Sequence, residues 1–512
     1  MEINNKIISF KDLSSVSELC KNKNKKIVLC HGMFDLVHLG HIRYFQQAKK
    51  QGDVLIVTIT ADEFCRKGPG KPAFSEDLRA ESLAALEVVD YVAICPYLTA
   101  IEAIELIKPN IYAKGKEYEI ESDDITGMIS KEREAIESSG GRIFYTNDLV
   151  LSSSSLLNSN FNVFTAEVKD YLNTLRSDYT ITEIVNALRS VKKSKVLIIG
   201  ESIIDRYTYV TPLGQSGKGI HFVVRNKYSE EYAGGSIAVA NHVASFVDDV
   251  ALFTGIGSDA KGETYEKFIR EELISNVTPN FFFFEDAQTI VKERFVDDEL
   301  RKFFEVYFSE EEPQASEQEE LDACEWLEVN IPKYDIVIVA DYGNGFITDS
   351  MTKIISDKSK FLAVNTQINS GNRGYHVVNR YTKADFVSLN EPELRLASHN
   401  RYNSVEKLTK KLSEKLNTKF TSITQGPKGL YTYNANNDSS FRVPALSSKV
   451  VDRVGAGDAF LSLSAICLGN NVQDEISIFV GAAAAAIDVQ IVGNKTTIDS
   501  VDLEKYLTAL LK

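Results

Sequence analysis

Seven histidines occur in this 512-residue chain, and three of them, His31, His38 and His41, fall in one stretch, HGMFDLVHLGH. It follows the apolar run Lys26–Cys30 and opens a segment of helical pattern, so the spacing predicts a strand-to-helix turn. Backbone N–H groups and the helix dipole favour anions at such a turn. Gly32 and Gly40 permit close backbone approach there, with Phe34 and Asp35 in the loop between them. His38 and His41, three residues apart, are expected on one helix face, donating to phosphate oxygens as charge builds up in a transition state. Alone, an HxxH pair reads equally as two structural histidines or a metal pair. The longer pattern GxFDxxHxGH is what favours a nucleotide phosphate site.

A second chemical motif stands near the other end, in Val451–Phe460 (VDRVGAGDAF). Gly455, Ala456 and Gly457 can line up backbone N–H groups at a helix start and so form an anion hole. Asp458, one residue on, is placed to accept a proton from a substrate hydroxyl. Donors facing a moving phosphoryl group beside an activating carboxylate suit phosphoryl transfer. A lone GAGD also fits an ordinary glycine-rich turn; the full DxxGAGDxF is far more specific.

Both motifs need strands and helices to hold them. Around the first, strands are expected at Asp53–Thr60, Tyr91–Cys95, Ile111–Ala113 and Gly141–Tyr145, with helices at Gly40–Lys50 and Asp77–Glu87, the alternation of a parallel sheet. Residues Phe164–Val191 carry apolar positions at helical spacing and read as one or two linker helices. A fresh α/β pattern opens at Lys195 (KVLIIG), with strands at Val250–Thr254, Ile336–Ala340, Phe361–Asn365, Phe386–Leu389 and Thr421–Thr424. The runs Phe281–Phe284, Thr289–Phe295 and Lys302–Phe308 look like additional β-structure. The acidic stretch Glu310–Glu320 reads as a solvated loop or helix face.

Composition narrows the class. Hydrophobic residues make up 44% and charged residues 25% of the chain, a globular balance, and its length calls for two or three domains. A net charge of −15 argues against a nucleic-acid binder. The six cysteines are scattered without a CxxC pair, which fits a reducing compartment and neither a disulfide framework nor a zinc site. The N-terminus has no signal-peptide pattern and no run of 18 apolar residues occurs, so a cytoplasmic protein without a membrane span is expected.

On these residues the first segment resembles the cytidylyltransferase-like superfamily, over roughly residues 25–160. Arg66-Lys67-Gly68-Pro69, Asp77-Leu78-Arg79, Leu86–Asp90, Lys108-Pro109-Asn110, Lys114–Tyr118, Gly140-Gly141-Arg142 and Ser152-Ser153-Ser154 are similar to the adenylyltransferase half of the bifunctional heptose enzymes of ADP-heptose synthesis. Where that family has Ser-Thr-Thr, three serines keep the hydroxyls; a plain flexible loop is the alternative reading. The resemblance implies that Lys67, Arg79, Lys114 and Ser152–Ser154 serve the nucleotide phosphates. The second segment carries the signature of the ribokinase-like PfkB family across residues 195–510. Ile204-Asp205-Arg206-Tyr207 and Gly234-Gly235 resemble its sugar contacts. Asp341-Tyr342-Gly343 matches a strand-end site, Asn390–Glu393 its NxxE motif, and Thr424–Gly429 (through Gly426 and Gly429) its loop beside the nucleotide.

The implied architecture is α/β with two doubly wound domains. A Rossmann-like HxGH nucleotidyltransferase domain spans residues 1–160, a helical linker 161–192, and a ribokinase-like kinase domain with a small β lid 193–512. The implied function is sugar activation. An ATP-dependent kinase would act on a sugar or sugar phosphate, and AMP or CMP would be transferred to a sugar 1-phosphate, both with Mg²⁺ and ATP or CTP. Partners are these substrates, with no nucleic acid or membrane, in a homodimer through the kinase domain.

Several sugar-reading positions depart from the heptose kinases. Ser236-Ile237-Ala238 follows the di-glycine in place of Ala-Ala-Asn, with Asn241 one turn on. Asn365-Thr366-Gln367 replaces Asp-Pro-Lys, Gln215–Gly219 replaces Arg-Ile-Ser-Pro-Glu, and Gly200-Glu201 replaces Gly-Asp. The domain order is also inverted. A different substrate follows, or a kinase domain that has become weak or regulatory. The second option leaves a single-activity glycerol- or polyol-phosphate nucleotidyltransferase, or a nucleotide-binding module without turnover.

Overall fold

The computed structural model describes residues 5–65, 72–97, 99–116, 128–146, 164–257, 265–284, 287–309, 315–372, 374–447 and 449–511. Two compact units emerge, Met1–Ala166 with Glu504–Lys512, and Glu167–Leu503.

The first unit is built on five strands: β1 (Ile27–Gly32), β2 (Val54–Thr60), β3 (Tyr91–Cys95), β4 (Ile111–Gly115) and β5 (Arg142–Thr146). They pair in the order β3-β2-β1-β4-β5, every pair parallel. The central strands are near-continuous apolar runs because both faces are covered; Ile27, Val28, Leu29 and Cys30 are fully buried. Strand order reverses between β1 and β4, so the carboxyl ends of those two strands flank the crevice where a doubly wound sheet binds ligands.

The second unit opens with two helices, Ala166–Asp178 and Ile181–Ser190, where the sequence suggested a linker. They are docked: Tyr171 packs on Phe479 and the Tyr179 hydroxyl donates to Glu475 at 3.0 Å, both on the helix Asp474–Asp488. A capping box of Thr180 and Glu183 starts the second of them.

Its strands are β6 (Lys195–Gln215), β7 (Phe222–Gly235), β8 (Asp249–Gly257), β9 (Val277–Phe284), β10 (Ile290–Val296), β11 (Lys302–Phe308), β12 (Ile336–Asp341), β13 (Leu362–Thr366), β14 (Phe386–Asn390), β15 (Phe420–Thr424), β16 (Leu430–Asn434) and β17 (Ser439–Val443). The long β6 serves two layers. Its first residues, Lys195–Glu201, pair in parallel with β8 and β12 in the central sheet. The remainder pairs with β7 and β10, and β10 with β11, to make the lid. Of the three runs read as extra β-structure, two are lid strands; the aromatic run Phe281–Phe284 instead belongs to β9, which pairs in parallel with β8 at the edge of the central sheet. The apolar stretch near Gly481 is a buried helix, and no helix among the described residues is long and apolar enough to cross a membrane.

Candidate active sites

At the end of β1 the chain turns through Met33–Val37 into the helix Leu39–Lys49. His38 does not share that helix with His41, as the three-residue spacing suggested. It is the N-cap, in extended conformation, and its Nδ1 accepts the N–H of Gly40 at 3.1 Å. The two rings nevertheless meet, stacked with centroids 4.0 Å apart and planes 22° apart. Burial lowers the His38 pKa below its usual value, so the ring is neutral near pH 7. A neutral imidazole that accepts at Nδ1 carries its proton on Nε2. That Nε2 is buried without a hydrogen-bond partner among the described residues, a donor held ready for an anion.

Phe34 supports the pair. It adopts a left-handed φ of 46°, its ring meets His41 edge-on at 5.2 Å, and it covers Gly32, where a Cβ would lie 3.1 Å from the ring. His31 reaches Thr58 Oγ1 with Nδ1 at 2.9 Å.

Two residues assigned to phosphate have other work. Asp35 is buried and accepts the N–H groups of Ala73 and Phe74 at 2.8–3.0 Å, so it ties two loops together. Arg79 is 1% exposed and donates to the carbonyls of Met33, Thr60 and Phe74 and to Asp62. With its donors spent inside the unit, it braces the His31–His41 turn instead of neutralising a ligand. Lys114 lies at the end of β4, one residue past the pair Cys30 and Ala113, beside the crevice, and is ion-paired with Glu132 at 2.7 Å. Lys67 and Ser152, Ser153 and Ser154 lie outside the described residues.

In the second unit, the helix Ala456–Gly469 starts at Gly455, whose φ of 96° suits glycine alone. A Cβ there would also strike Asn494 Oδ1 and Asp488 Oδ2 at 2.7–2.8 Å. Among the described residues nothing lies within 4 Å of a Cβ position at Gly457, so its face of the helix terminus is open. Ala456, Gly457 and Asp458 form the first turn. Asp458 accepts the Tyr342 hydroxyl at 2.9 Å. Burial pushes its pKa up to about 7; Asp205 adds to the rise, and the Tyr342 hydrogen bond and Lys292 oppose it.

The predicted sugar contacts converge from β6 and β7. Asp205 is buried, paired with Arg294 of β10 and bonded by Asn494 Nδ2 at 3.0 Å. Gly234 lies directly against it, for a Cβ would fall 2.2 Å from Asp205 Oδ2, and Gly235 follows as the cap of the helix Ser236–Ala244. Glu201 accepts the N–H groups of Tyr342 and Asn344 at 2.9 and 3.0 Å, locking β6 to the end of β12. Asn241 is turned away, donating to Glu272 O and accepting from Ile274 N. Asp341 is consumed by His376, Arg380 and Tyr381.

The nucleotide-side motifs sit at the carboxyl ends of β14 and β15. Asn390 and Glu393 form a reciprocal capping box at the start of the helix Glu391–Ala397, so NxxE has a structural job here as well. Burial raises the Glu393 pKa to about 7, with Asp458 among the charges acting on it. Thr424 ends β15; Gly426 and Gly429 shape the turn into β16, where Gln425 Nε2 donates to Glu391 at 2.8 Å. Sequence reasoning missed Lys292, Arg294 and Asn494, and it marked Tyr342 only as part of a strand-end motif, without its bond to Asp458. The alternation Lys292, Arg294 in a strand puts both on one face, and that was the available signal.

Comparisons with known proteins agree with this division. Residues 193–500 match the family model described as pfkB family carbohydrate kinase, and residues 29–160 match the model described as Cytidylyltransferase-like. The chain is similar to proteins named Bifunctional protein HldE, at 37% identity over 145 residues in Syntrophotalea carbinolica and 40% over 140 residues in Geobacter metallireducens. Those stretches are 28% and 27% of this chain, and 28% and 27% of the relatives, so the similarity spans about a quarter of their length. Among solved structures, Escherichia coli phosphofructokinase-2 in complex with potassium superposes with a TM-score of 0.51 at 16% identity, over 62% of this chain and 100% of that one. The same enzyme with substrates and products gives 0.50 at 16% identity, again over 62% and 100%. At such identity the likeness is one of fold.

Proposed function

Since the chain belongs to the pfkB family of carbohydrate kinases and carries a cytidylyltransferase-like domain ahead of that part, we propose that it is a bifunctional sugar-activating enzyme. At the second unit's site, ATP phosphorylates a sugar or sugar phosphate. At the first unit's site, a nucleoside triphosphate and a sugar 1-phosphate give a nucleotide sugar and pyrophosphate.

The observation that carries the kinase reading is Asp458, held by Tyr342 in the first turn of the helix, next to the open terminus at Gly457. Its Oδ1 accepts a hydrogen bond from the Tyr342 hydroxyl, which leaves Oδ2 for the acceptor hydroxyl. The acceptor oxygen attacks the γ-phosphorus as its proton passes to Asp458, and the N–H groups at Gly455–Gly457 meet the charge on the moving group. In the first unit no base is needed. A phosphate oxygen of the acceptor attacks the α-phosphorus, pyrophosphate leaves, and the Nε2–H of His38, with His41 stacked on it, donates to the triphosphate.

Mg²⁺ would supply charge neutralisation at both sites. In this reading the ion arrives on the nucleotide phosphates. A homodimer through the kinase domain is the proposed assembly; the exposed apolar side chains of the lid, Ile220, Phe222 and Tyr228 among them, support it.

A second reading draws on the same pocket. Asp205 is already paired and the departures from the heptose kinases lie on the sugar side, which suits a single-activity glycerol- or polyol-phosphate nucleotidyltransferase with a weak or regulatory kinase domain. The deciding experiment uses the full chain. Pyrophosphate release is screened for four nucleoside triphosphates against sugar 1-phosphates and polyol phosphates, and ADP release from ATP against a broad sugar panel. Both signals support the bifunctional reading, pyrophosphate alone the second, and neither signal defeats both.

A further inference from the structure

Asp341 and Thr366 are the last pair between β12 and β13, and Tyr342 follows where the two strands part. Side chains take over the polar groups of its backbone. Its N–H donates to Glu201 Oε2 at 2.9 Å. Its carbonyl accepts Asn369 Nδ2 at 2.9 Å and Asn372 Nδ2 at 3.4 Å. The two asparagines also lock each other. Asn369 Oδ1 accepts the N–H groups of Gly371 and Asn372 at 2.8 and 2.9 Å, and Asn372 Oδ1 accepts the N–H of Asn369 at 3.1 Å. Asn372 Nδ2 donates as well to Gln367 O at 3.0 Å. With both side-chain oxygens committed to the turn, the amide groups face Tyr342. Gly343 makes room for them, since a Cβ there would fall 2.5 Å from Asn372 Nδ2. This turn follows Asn365-Thr366-Gln367, one of the departures from the heptose kinases.

The residue gripped in this way is the one whose hydroxyl meets Asp458 at 2.9 Å. Only two side-chain torsions separate a tyrosine backbone from its ring, so the place of the hydroxyl follows the place of the backbone. A hydrogen bond weakens steeply as its angle departs from linear. Resting on the kinase reading above, we propose that Asn369, backed by Asn372, is a positioning residue for the phosphoryl transfer: its amide holds the Tyr342 backbone where the hydroxyl meets Asp458. Loosening that hold weakens a bond that favours the ionised carboxyl, so the pKa of Asp458 should rise above its value of about 7. The other charged groups that bear on Asp458 are Asp205, Lys292, Glu393 and Asp488, and a substitution at Asn369 leaves all four in place.

The test compares full-length wild type, Asn369→Ala, Asn369→Ser, Tyr342→Phe and the double variant Asn369→Ala with Tyr342→Phe. Asn369→Ser keeps an oxygen for the turn and removes the amide, so it serves where the alanine variant does not fold. Two quantities are followed against pH. One is kcat/KM for ADP release. The other is the infrared band of the protonated carboxyl that Asp458→Asn deletes, which needs no substrate. Both Asn369 variants should move the midpoint up by about half a unit to one unit. The corresponding loss of kcat/KM is roughly 3- to 10-fold at pH 6.5 and small at pH 8.5, with the KM for ATP unchanged. In the Tyr342→Phe background, Asn369→Ala should move the midpoint no further, because the hydroxyl that it aims has gone. An unmoved midpoint in Asn369→Ser, an equal loss at every pH, or the same added shift in the phenylalanine background would each overturn the proposal. Should the wild type release no ADP with any acceptor, the kinase reading fails by itself. The infrared midpoint then judges the role of Asn369 alone, and an unmoved midpoint overturns it.

Discussion

The Tyr342 hydroxyl donates to Asp458 Oδ1 at 2.9 Å, and this one bond holds down a carboxyl that its surroundings push up to about 7. Burial is the main cause of the rise, and Asp205 adds to it. An Asp458 with that pKa must lose its proton to act as base, so the kinase rate should climb with pH and level off above about 7. Tyr342→Phe removes a bond that favours the charged form, which raises the pKa further. The acid limb of the kcat/KM profile should therefore move up by about one unit. The variant should lose most near pH 6.5 and least near pH 8.5. An equal loss at every pH would mean that Tyr342 only packs.

The two chemistries should separate cleanly by mutation. Asp458→Asn should abolish ADP release, by 100-fold or more on the order of general-base effects, and leave pyrophosphate release intact. His38→Ala, which removes the buried Nε2 donor, should lower pyrophosphate release by roughly 100-fold and leave the kinase untouched. His41→Ala should do the same. If either change stopped both reactions in a folded protein, two independent sites could not be right.

Arg79 gives a prediction about stability instead of rate. Its guanidinium is 1% exposed and joins Met33, Thr60, Phe74 and Asp62. A lysine cannot fork to three carbonyls and a carboxylate. Arg79→Lys should destabilise the first unit by about 3–5 kcal/mol, the cost typical of breaking a buried pair, measured by urea unfolding. Under conditions where that variant stays folded, its nucleotide affinity should stay close to wild type, which a phosphate ligand would not permit.

Arg79 and His38 also show where the sequence was readable and where it was not. The strands were legible because buried parallel strands are unbroken apolar runs, and the two glycine-marked turns were legible because few residue types fit them. The jobs of individual polar residues were not. An arginine near a phosphate motif reads as a ligand until the structure shows four acceptors already around it. Asn390 and Glu393 read as nucleotide contacts, yet the same spacing is a capping box. Lys292 and Arg294 were hidden for the opposite reason: they lie far from Asp458 in sequence, and only the pairing of β10 with β6 brings them to the pocket.

The two glycines of the anion hole should behave differently, because one is required by the backbone and the other by the ligand. Gly455 has a φ of 96°, and a Cβ there would press on Asp488 and Asn494. Gly455→Ala should therefore cost about 1–3 kcal/mol of stability, seen as a lowered urea midpoint of the second unit. Gly457 is in the first helical turn with open space around its Cβ position. Alanine there has the better helix propensity, so Gly457→Ala should leave stability unchanged or raise it by up to about 1 kcal/mol. The added methyl would nevertheless stand where an incoming phosphoryl group must approach the helix N–H groups. ADP release should fall by at least 10-fold in a protein as stable as wild type. Full activity in Gly457→Ala would show that the transferred group does not pass over this helix terminus.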